Sequence, residues 1–182
     1  AEERGRFFAG GVFERLIALL KPFDQLVSAF RNGGGVPMSA YSDDAWEGMA
    51  RSTDSQVENL LLEEWLPAAP EVKRKLEEGA AVADVGCGRG AVLIKLAEAF
   101  PNSRYVGYDA FEPMIARATA TAAAAEVADR VSFRHLDASK GLAEQYDVIM
   151  TFDVVHDAVD PRGLLRAIRQ ALRPGGSYLM LE

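Results

Sequence analysis

A loop with three regularly spaced glycines is the stretch of the chain most suggestive of chemistry. Residues 82–90 read VADVGCGRG, so that Gly86, Gly88 and Gly90 follow a short apolar run. Glycine lets the chain turn sharply and lets a ligand approach the backbone, and a following helix presents unpaired N–H groups. Such a loop suits a carboxylate or a phosphate. It also fits the dinucleotide fingerprint G-x-G-x-x-G/A, so the loop alone leaves a nicotinamide site and another adenosyl site open.

Three aspartates accompany the loop. Asp109 lies 23 residues beyond Gly86, where the dinucleotide fingerprint places a ribose-binding acid. Asp84 stands where a dinucleotide fold needs only an apolar residue, and Asp137 can accept a hydrogen bond from the exocyclic amine of adenine. Arg89 is the only basic residue in this set. The balance disfavours a pyrophosphate and favours a ligand with a sulfonium, an ammonium, one carboxylate, a ribose and an adenine.

The dipeptide His156-Asp157 is a candidate for proton transfer. An imidazole takes a proton from a hydroxyl near neutral pH, so His156 is a candidate general base, with a structural role at the rim of the site as the open alternative. The other histidine, His135, is expected to be structural or exposed. Cys87 lies beside a predicted helix N-terminus, which could lower its pKa, but no nucleophilic role is predicted. We find no spacing typical of a metal site.

Alternating elements would position these residues. Predicted strands at 80–86, 104–109, 130–137, 146–153 and 177–182 alternate with predicted helices at 90–101, 112–129 and 160–176. This order predicts an α/β fold with a Rossmann-like, mostly parallel sheet and helices on both faces. Ligands of such sheets bind outside the C-terminal ends of the strands, which brings the loops after residues 86, 109, 137 and 153 together.

The first part of the chain has helical patterns and no alternation of strands with helices. Residues 12–30, VFERLIALLKPFDQLVSAF, have apolar residues at helical spacing, and Pro22 is predicted to split or kink the helix. The glycine-rich stretch 31–37 breaks the pattern, and helices are predicted again at 42–66 and 70–79. We therefore predict two domains: a helical N-terminal cap region over 1–79 and a ligand-binding domain over 80–182.

Composition narrows the function classes. The chain has 182 residues, 49% of them hydrophobic, a net charge of −7 and one cysteine. The acidic balance argues against nucleic acid as a partner, and we find no apolar run of the roughly 18 residues that a membrane span needs. A single cysteine and no recognisable secretory signal favour a cytoplasmic location.

Four segments together resemble a known family. VADVGCGRG resembles the first motif of class I S-adenosylmethionine-dependent methyltransferases, GYDAFEPMIARA (107–118) their acidic second motif, and RHLDAS (134–139) their third. YDVIMTFDVVHD (146–157) and LRPGGSYLMLE (172–182) resemble their fourth and fifth strands. The motifs follow the order and spacing of the family over residues 80–182, which is more specific than one glycine loop.

The resemblance implies S-adenosylmethionine, or S-adenosylhomocysteine, as the ligand. It implies that Asp109 binds both ribose hydroxyls, that Phe111 packs beside the adenine, and that Asp137 and the Ala138 backbone read the adenine edge. The Phe152 carbonyl would accept a hydrogen bond from the ammonium group, and the loop glycines would line the methionine part. The full set of implied cofactor residues is Asp84, Gly86, Cys87, Gly88, Gly90, Asp109, Ala110, Phe111, Asp137, Ala138 and Phe152.

Two narrower resemblances concern catalysis and the N-terminal part. VVHDAVDPRGLLRAIRQALRPGG (154–176) is similar to small-molecule O-methyltransferases in which a His-Asp pair supplies the general base, here His156 and Asp157. FRNGGGVPMSAYSDD (30–44) resembles a bacterial group with a winged-helix domain before the catalytic domain, in which helices cap the cofactor pocket. The sheet of the family has seven strands, so the chain is expected to be truncated after its fifth.

The expected function is transfer of a methyl group from S-adenosylmethionine to a small molecule, at oxygen. The expected partner is a small-molecule acceptor, and a homodimer is a further expectation. One alternative is a regulatory module that binds the cofactor without turnover. Another is a nicotinamide-dependent reductase, which Asp84 and Asp137 disfavour.

Overall fold

The computed structural model describes residues 5–182, so residues 1–4 of the predicted cap region lie outside the described residues. The described part divides into a first unit that ends at Leu60 and a second unit, Leu61–Glu182. The α-helices are α1 (Gly10–Leu19), α2 (Phe23–Asn32), α3 (Asp43–Leu60), α4 (Pro70–Glu78), α5 (Ala91–Ala99), α6 (Glu112–Ala124) and α7 (Pro161–Ala171). The strands are β1 (Ala81–Val85), β2 (Arg104–Asp109), β3 (Val131–His135), β4 (Tyr146–Phe152) and β5 (Leu172–Leu181).

The second unit contains one five-stranded sheet in the order β3-β2-β1-β4-β5. All four strand pairings are parallel, which confirms the predicted α/β fold. β1 pairs with β2 on one side and with β4 on the other. Successive strands are therefore added on one side of β1 up to β3 and on its other side from β4 onward, and the order of the strands reverses between β1 and β4. Ligands of open parallel sheets bind at such a switch point, outside the C-terminal strand ends.

The central strands form the core because they are apolar on both faces. Val82, Ala83 and Ile149 are fully buried, as expected for strands that have layers of helix on each side. Tyr108 and Tyr146 bring polar groups into this core, and their hydroxyls hydrogen-bond to each other at 2.5 Å. The two phenols therefore satisfy each other, and the core keeps no penalty for an unpaired hydroxyl.

The start of the fifth strand differs from the prediction. We expected helix up to residue 176, but α7 ends at Ala171 and β5 begins at Leu172, opposite Tyr146. Proline at 174 cannot extend a helix, and the ladder shifts register between Tyr146 and Val148 to accommodate the extra residues. Lys75 of α4 fixes this segment through hydrogen bonds to the Gly175 carbonyl and to the Ser177 hydroxyl.

The first unit is helical, as predicted, and α1 and α2 are separate helices on either side of Pro22. α1 packs so closely on α3 that a Cβ atom at Gly11 would collide with the Gly48 carbonyl oxygen. The predicted helix 42–66 is not uniform: α3 ends at Leu60 and a five-residue π-helix spans Leu61–Trp65. The predicted domain boundary after residue 79 remains a prediction. Among the described helices, none is both long and apolar enough to cross a membrane.

Candidate functional site

The glycine loop folds from the end of β1 onto the end of β2. The backbone N–H groups of Gly86 and Cys87 both donate to the Tyr108 carbonyl, at 2.7 and 3.0 Å. Gly86, Gly88 and Gly90 have φ values of 77°, 52° and 80°. These are left-handed conformations that side chains rarely adopt, which explains why the loop needs glycine at each of the three positions.

The three glycines differ in the space beside them. A Cβ atom at Gly90 would lie 2.5 Å from the Phe133 ring, and one at Gly86 would lie 2.5 Å from the Val154 side chain. A Cβ atom at Gly88 would have no neighbour within 4 Å. Gly88 therefore leaves open space, whereas Gly90, which was also expected to let a ligand approach the backbone, makes room for the half-buried Phe133 ring.

The Asp109 carboxylate joins the first loop to the second. Its Oδ2 accepts a hydrogen bond from the Gly88 N–H at 2.9 Å, and its Oδ1 accepts one from the Phe111 N–H at 2.8 Å. A carboxylate oxygen can accept a second hydrogen bond, so both oxygens keep capacity for a ligand hydroxyl. Burial raises the pKa of Asp109, and its two N–H partners and His135 oppose that rise.

Asp84 and Cys87 are buried, and both interact electrostatically with this carboxylate. Burial, and then the charge of Asp109, raise the pKa of Asp84 to about 7. Burial, followed by Asp84 and Asp109, also raises the pKa of the Cys87 thiol, so the expectation of a lowered value beside the helix is wrong. The thiol packs where Gly107 lacks a side chain, which is the behaviour of a small apolar residue.

The third loop has a local structural role as well. Asp137 caps a short 3₁₀ helix, Ala138–Lys140, where Oδ1 accepts hydrogen bonds from the Ser139 N–H at 3.1 Å and the Ser139 hydroxyl at 2.6 Å. Its Oδ2 lies 3.4 Å from the Lys140 ammonium. The Ser139 hydroxyl is the main cause that lowers the pKa of Asp137, so this carboxylate stays charged. Ala138 is buried, and Ala110, in the second loop, is exposed.

The end of β4 has an aromatic neighbour that sequence reasoning missed. The Phe152 ring stacks on Trp65, with ring centroids 5.7 Å apart and an angle of 29° between the planes. Trp65 ends the π-helix, which departs from regular helical spacing and so changes the direction in which its side chains point. The available signal was a tryptophan just before the helix-stopping Pro67.

A second missed residue, Glu182, organises the loop after β4. Its carboxylate accepts hydrogen bonds from the N–H groups of Val154, Val155 and His156, at 3.3, 3.0 and 3.2 Å. Glu182 Oε2 also lies 2.5 Å from His156 Nδ1. On the other side of the ring, Nε2 lies 3.6 Å from Asp157 Oδ2. The sequence signal was an acid at the end of an apolar strand, the same signal that identified Asp109.

This arrangement favours charge on both partners. The hydrogen bond with Glu182 is the main cause that raises the pKa of His156. The Val155 N–H and the other donors lower the pKa of Glu182 to about 2. Asp153, just before this loop, has a φ of 54°, a conformation that only a few residue types tolerate. The loop after β4 thus begins at a left-handed aspartate and is held by one carboxylate.

Two groups of predicted residues therefore form at the same edge of the sheet. Gly88, Asp109 and Phe111 are joined by hydrogen bonds, and Asp84 interacts electrostatically with Asp109. His156 and Asp157 lie in the loop after β4, whose Val154 side chain faces Gly86. Among the described residues, no cluster of three or more His, Cys, Asp or Glu could hold a metal ion.

Comparison with known proteins identifies the family. The sequence profile described as "Methyltransferase domain" matches residues 83–178. The O-methyltransferase xanE of Aspergillus fumigatus is 29% identical over 160 residues, which cover 85% of this chain and 36% of that protein.

Solved structures of methyltransferases are also similar to this chain. A methyltransferase from Geobacter sulfurreducens in complex with S-adenosyl-L-homocysteine is 30% identical, with a TM-score of 0.54 over 65% of this chain and 47% of that one. The mitomycin 7-O-methyltransferase MmcR shares the fold at 22% identity, with a TM-score of 0.65 over 88% of this chain and 49% of that one. The chain thus spans half or less of these proteins. The profile covers more than half of the chain, which therefore belongs to the class I S-adenosylmethionine-dependent methyltransferase domain family.

Proposed function

We propose that the chain is the cofactor-binding part of an enzyme that transfers a methyl group from S-adenosylmethionine to an oxygen atom of a small molecule. The observation that carries the proposal is the Asp109 carboxylate, held by the Gly88 and Phe111 N–H groups at the C-terminal end of β2, next to the loop that follows β1 at the switch point. Transfer to oxygen is supported by the likeness to xanE, whose name describes an O-methyltransferase.

The residues around Asp109 suit S-adenosylmethionine chemically. Asp109 has acceptor capacity for two ribose hydroxyls, and the open space at Gly88 admits a ligand against the backbone. Asp84 and Asp109 supply negative charge for a ligand that carries a sulfonium and an ammonium. We propose that Phe111, Asp137 and the Ala138 backbone hold the adenine, with Ala110 beside the ribose. The bound cofactor supplies a methyl group activated by its positive sulfur.

His156 is the proposed general base. Glu182 fixes Nδ1, so that Nε2 is the ring atom left to take a proton from the hydroxyl of an acceptor, with Asp157 beside it. Methyl transfer is a displacement, so alignment of the oxygen with the methyl group contributes most, and proton removal adds to it. Because the hydrogen bond with Glu182 raises the pKa of His156, the neutral, active form of the base grows as the pH rises.

The organisation of the whole protein is also part of the proposal. We propose that residues 1–79 form a helical cap region before the cofactor-binding domain, as in the bacterial group with a winged-helix domain. The helical elements of the first unit support this, and so does a fold likeness that extends over 88% of the chain.

Calorimetric titration tests the cofactor. We expect binding of S-adenosylhomocysteine but not of NADH, and loss of that binding in Asp109→Ala. Asp129→Ala, an exposed acid after α6, is the matched control and should bind normally. Binding of NADH alone would refute the methyltransferase proposal.

Transfer of labelled methyl groups to a set of phenols and other hydroxylated small molecules tests turnover. Labelled product that is lost in His156→Ala supports the base. Cofactor binding without any transfer would instead favour the regulatory module.

A further inference from the structure

The helix α7 separates its apolar and its basic residues onto opposite sides. Four of its residues are buried: Leu164, Ala167, Ile168 and Ala171. Arg162, Arg166 and Arg169 are exposed, and they recur at the i, i+4, i+7 spacing of a single helix face. With a rise of about 1.5 Å per residue, these three arginines form a row about 10 Å long, which we call the arginine row.

The positive charge of the arginine row is not neutralised within the described part of the chain. α7 contains no acidic residue. Asp160, just before the helix, directs its carboxylate to the Gly163 N–H at 2.8 Å. Among the described residues, none forms an ion pair with an arginine of the row.

The helix α4 shows how the same chain neutralises basic residues on a helix that faces solvent. There, each of three consecutive basic residues lies within 4 Å of a glutamate four residues away: the pairs are Lys73–Glu77, Arg74–Glu78 and Lys75–Glu71. Such pairs stabilise an exposed helix by themselves. α7 has the same number of basic residues and lacks these acids, so its charge remains for another molecule to meet.

The shape of the surface narrows the class of ligand. Leu165 lies on the same face as the arginine row and exposes 38% of its surface. Together with the three arginines it lines an open groove of about 520 Å³ along the helix. The charges are set out in a line and include an apolar side chain. This arrangement suits several carboxylates in a line, with an apolar contact between them, better than one small anion.

An acidic helix of another protein fits this surface. Acids at positions i, i+4 and i+7 of a helix recur at the same intervals as the arginine row. Each guanidinium can bind a carboxylate through two parallel N–H donors. An apolar residue at i+3 would meet Leu165. The net charge of the chain is −7, which repels an extended polyanion beyond the row itself, whereas one acidic helix contacts only the row.

We propose that the arginine row, with Leu165, is a docking surface for another protein, which binds through an amphipathic helix that has acids on one face. The contact is electrostatic and exposed, so it is of the transient kind that weakens as salt is added.

A synthetic helical peptide tests the proposal. The probe carries glutamate at i, i+4 and i+7 and leucine at i+3, and the control peptide has glutamine in place of each glutamate. In ¹⁵N-labelled wild-type chain, the amide signals of Gly163 and Leu165 should shift with the glutamate peptide and not with the glutamine peptide. The affinity should fall as the ionic strength rises.

Variants of the row locate the contact. Arg166→Gln should weaken peptide binding about threefold, and the triple variant R162Q/R166Q/R169Q at least tenfold, as expected for exposed ion pairs. Arg74→Gln removes the same charge from α4 and is the matched control, which should bind the peptide normally. All variants should keep the circular dichroism and the S-adenosylhomocysteine binding of the wild-type chain, because none alters the core or the cofactor site.

Charge exchange tests the pairing directly. Arg166→Glu should lose the glutamate peptide, because two negative charges then face each other. A peptide with lysine in place of its central glutamate should bind Arg166→Glu more tightly than it binds the wild-type chain.

Three outcomes would overturn the proposal. The first is no binding of the glutamate peptide by the wild-type chain, or equal binding by the triple variant. The second is equal affinity for the glutamine peptide. The third is tighter binding, dependent on the same arginines, to phosphatidylglycerol vesicles or to a DNA duplex at the same ionic strength. This result would assign the row to a membrane or to nucleic acid.

Discussion

One carboxylate determines both the position and the charge of His156. Glu182 accepts three backbone N–H groups and faces the imidazole, so the loop and the ring are oriented together. The raised pKa of His156 means that the pair stabilises the fold fully below pH 6.5 and less as the pH rises through the raised value. The Glu182 contribution is present above pH 4.5 and is lost as the pH falls through about 2.

Replacing Glu182 by Gln should lower the pKa of His156 toward 6.5. The amide removes the negative charge and accepts fewer N–H groups. The chemical shift of the His156 ring proton against pH measures this change directly, and the pH profile of methyl transfer should move to lower pH with it.

Glu144→Gln, which removes an exposed ion pair with Arg134, is the control and should leave the His156 titration unchanged. An unchanged titration in Glu182→Gln would mean that the contact with Glu182 does not form in solution.

Asp84 lowers the stability of the fold as the pH rises, because burial disfavours its charged form. Its pKa is about 7 in the fold and 3.8 in the unfolded chain, so the native state binds an extra proton between these values. As the pH rises through that range, this difference should lower the free energy of unfolding by about 1.4 kcal/mol for each pH unit. Asp84→Asn should flatten the dependence, as measured by urea denaturation at pH 5, 6 and 7. Asp129→Asn should keep the wild-type slope, and parallel curves for wild type and Asp84→Asn would contradict the argument.

At the scale of the elements, the sequence was most informative where strand and loop patterns coincide. The apolar runs predicted the central strands, and the acids at their ends indicated the loops. The start of β5 at Leu172 was missed because a register shift depends on the neighbouring strand, not on local pattern. The outward side of α1, where Phe13, Leu16 and Ile17 are exposed, was not predicted because helical spacing indicates an apolar side but not what it packs against. Glu182 was missed because its partners lie 26 or more residues away.

The glycines of the loop should separate into a packing role and a ligand role. Gly90→Ala adds a methyl group against the Phe133 ring at a φ of 80°, and should lower the free energy of unfolding by about 2–3 kcal/mol. The added methyl group of Gly88→Ala meets no neighbour, so this variant should lower the free energy of unfolding by only about 1 kcal/mol, through its backbone conformation alone.

Gly88→Ala should nevertheless weaken S-adenosylhomocysteine binding, because the methyl group enters the open space. Urea denaturation and calorimetry together distinguish the two roles. Phe133→Leu, which shortens the clashing ring, should partly restore the stability of Gly90→Ala. Equal losses in both alanine variants would contradict the distinction.

At the scale of the whole molecule, each unit contains one tryptophan, Trp46 in the first and Trp65 in the second. S-adenosylhomocysteine at 100 times its dissociation constant should stabilise the unit that binds it by about 2.7 kcal/mol. In Trp46→Phe, the fluorescence of Trp65 should report this shift during denaturation. In Trp65→Phe, the fluorescence of Trp46 reports the first unit. If only the Trp46 fluorescence reported a higher denaturation midpoint with the ligand, the ligand would bind the first unit and not the unit that contains the sheet.

The attachment of the loop after β4 to Glu182 has a consequence for the order in which the protein is made. The ribosome delivers the glycine loop, Asp109 and Asp137 well before the residue that fixes His156. β1 must also wait for β4, some 66 residues later, before it gains its second neighbour. The nascent chain therefore lacks the contact that fixes the loop after β4 until the fifth strand has emerged, whereas the glycine loop and Asp109 can pair earlier.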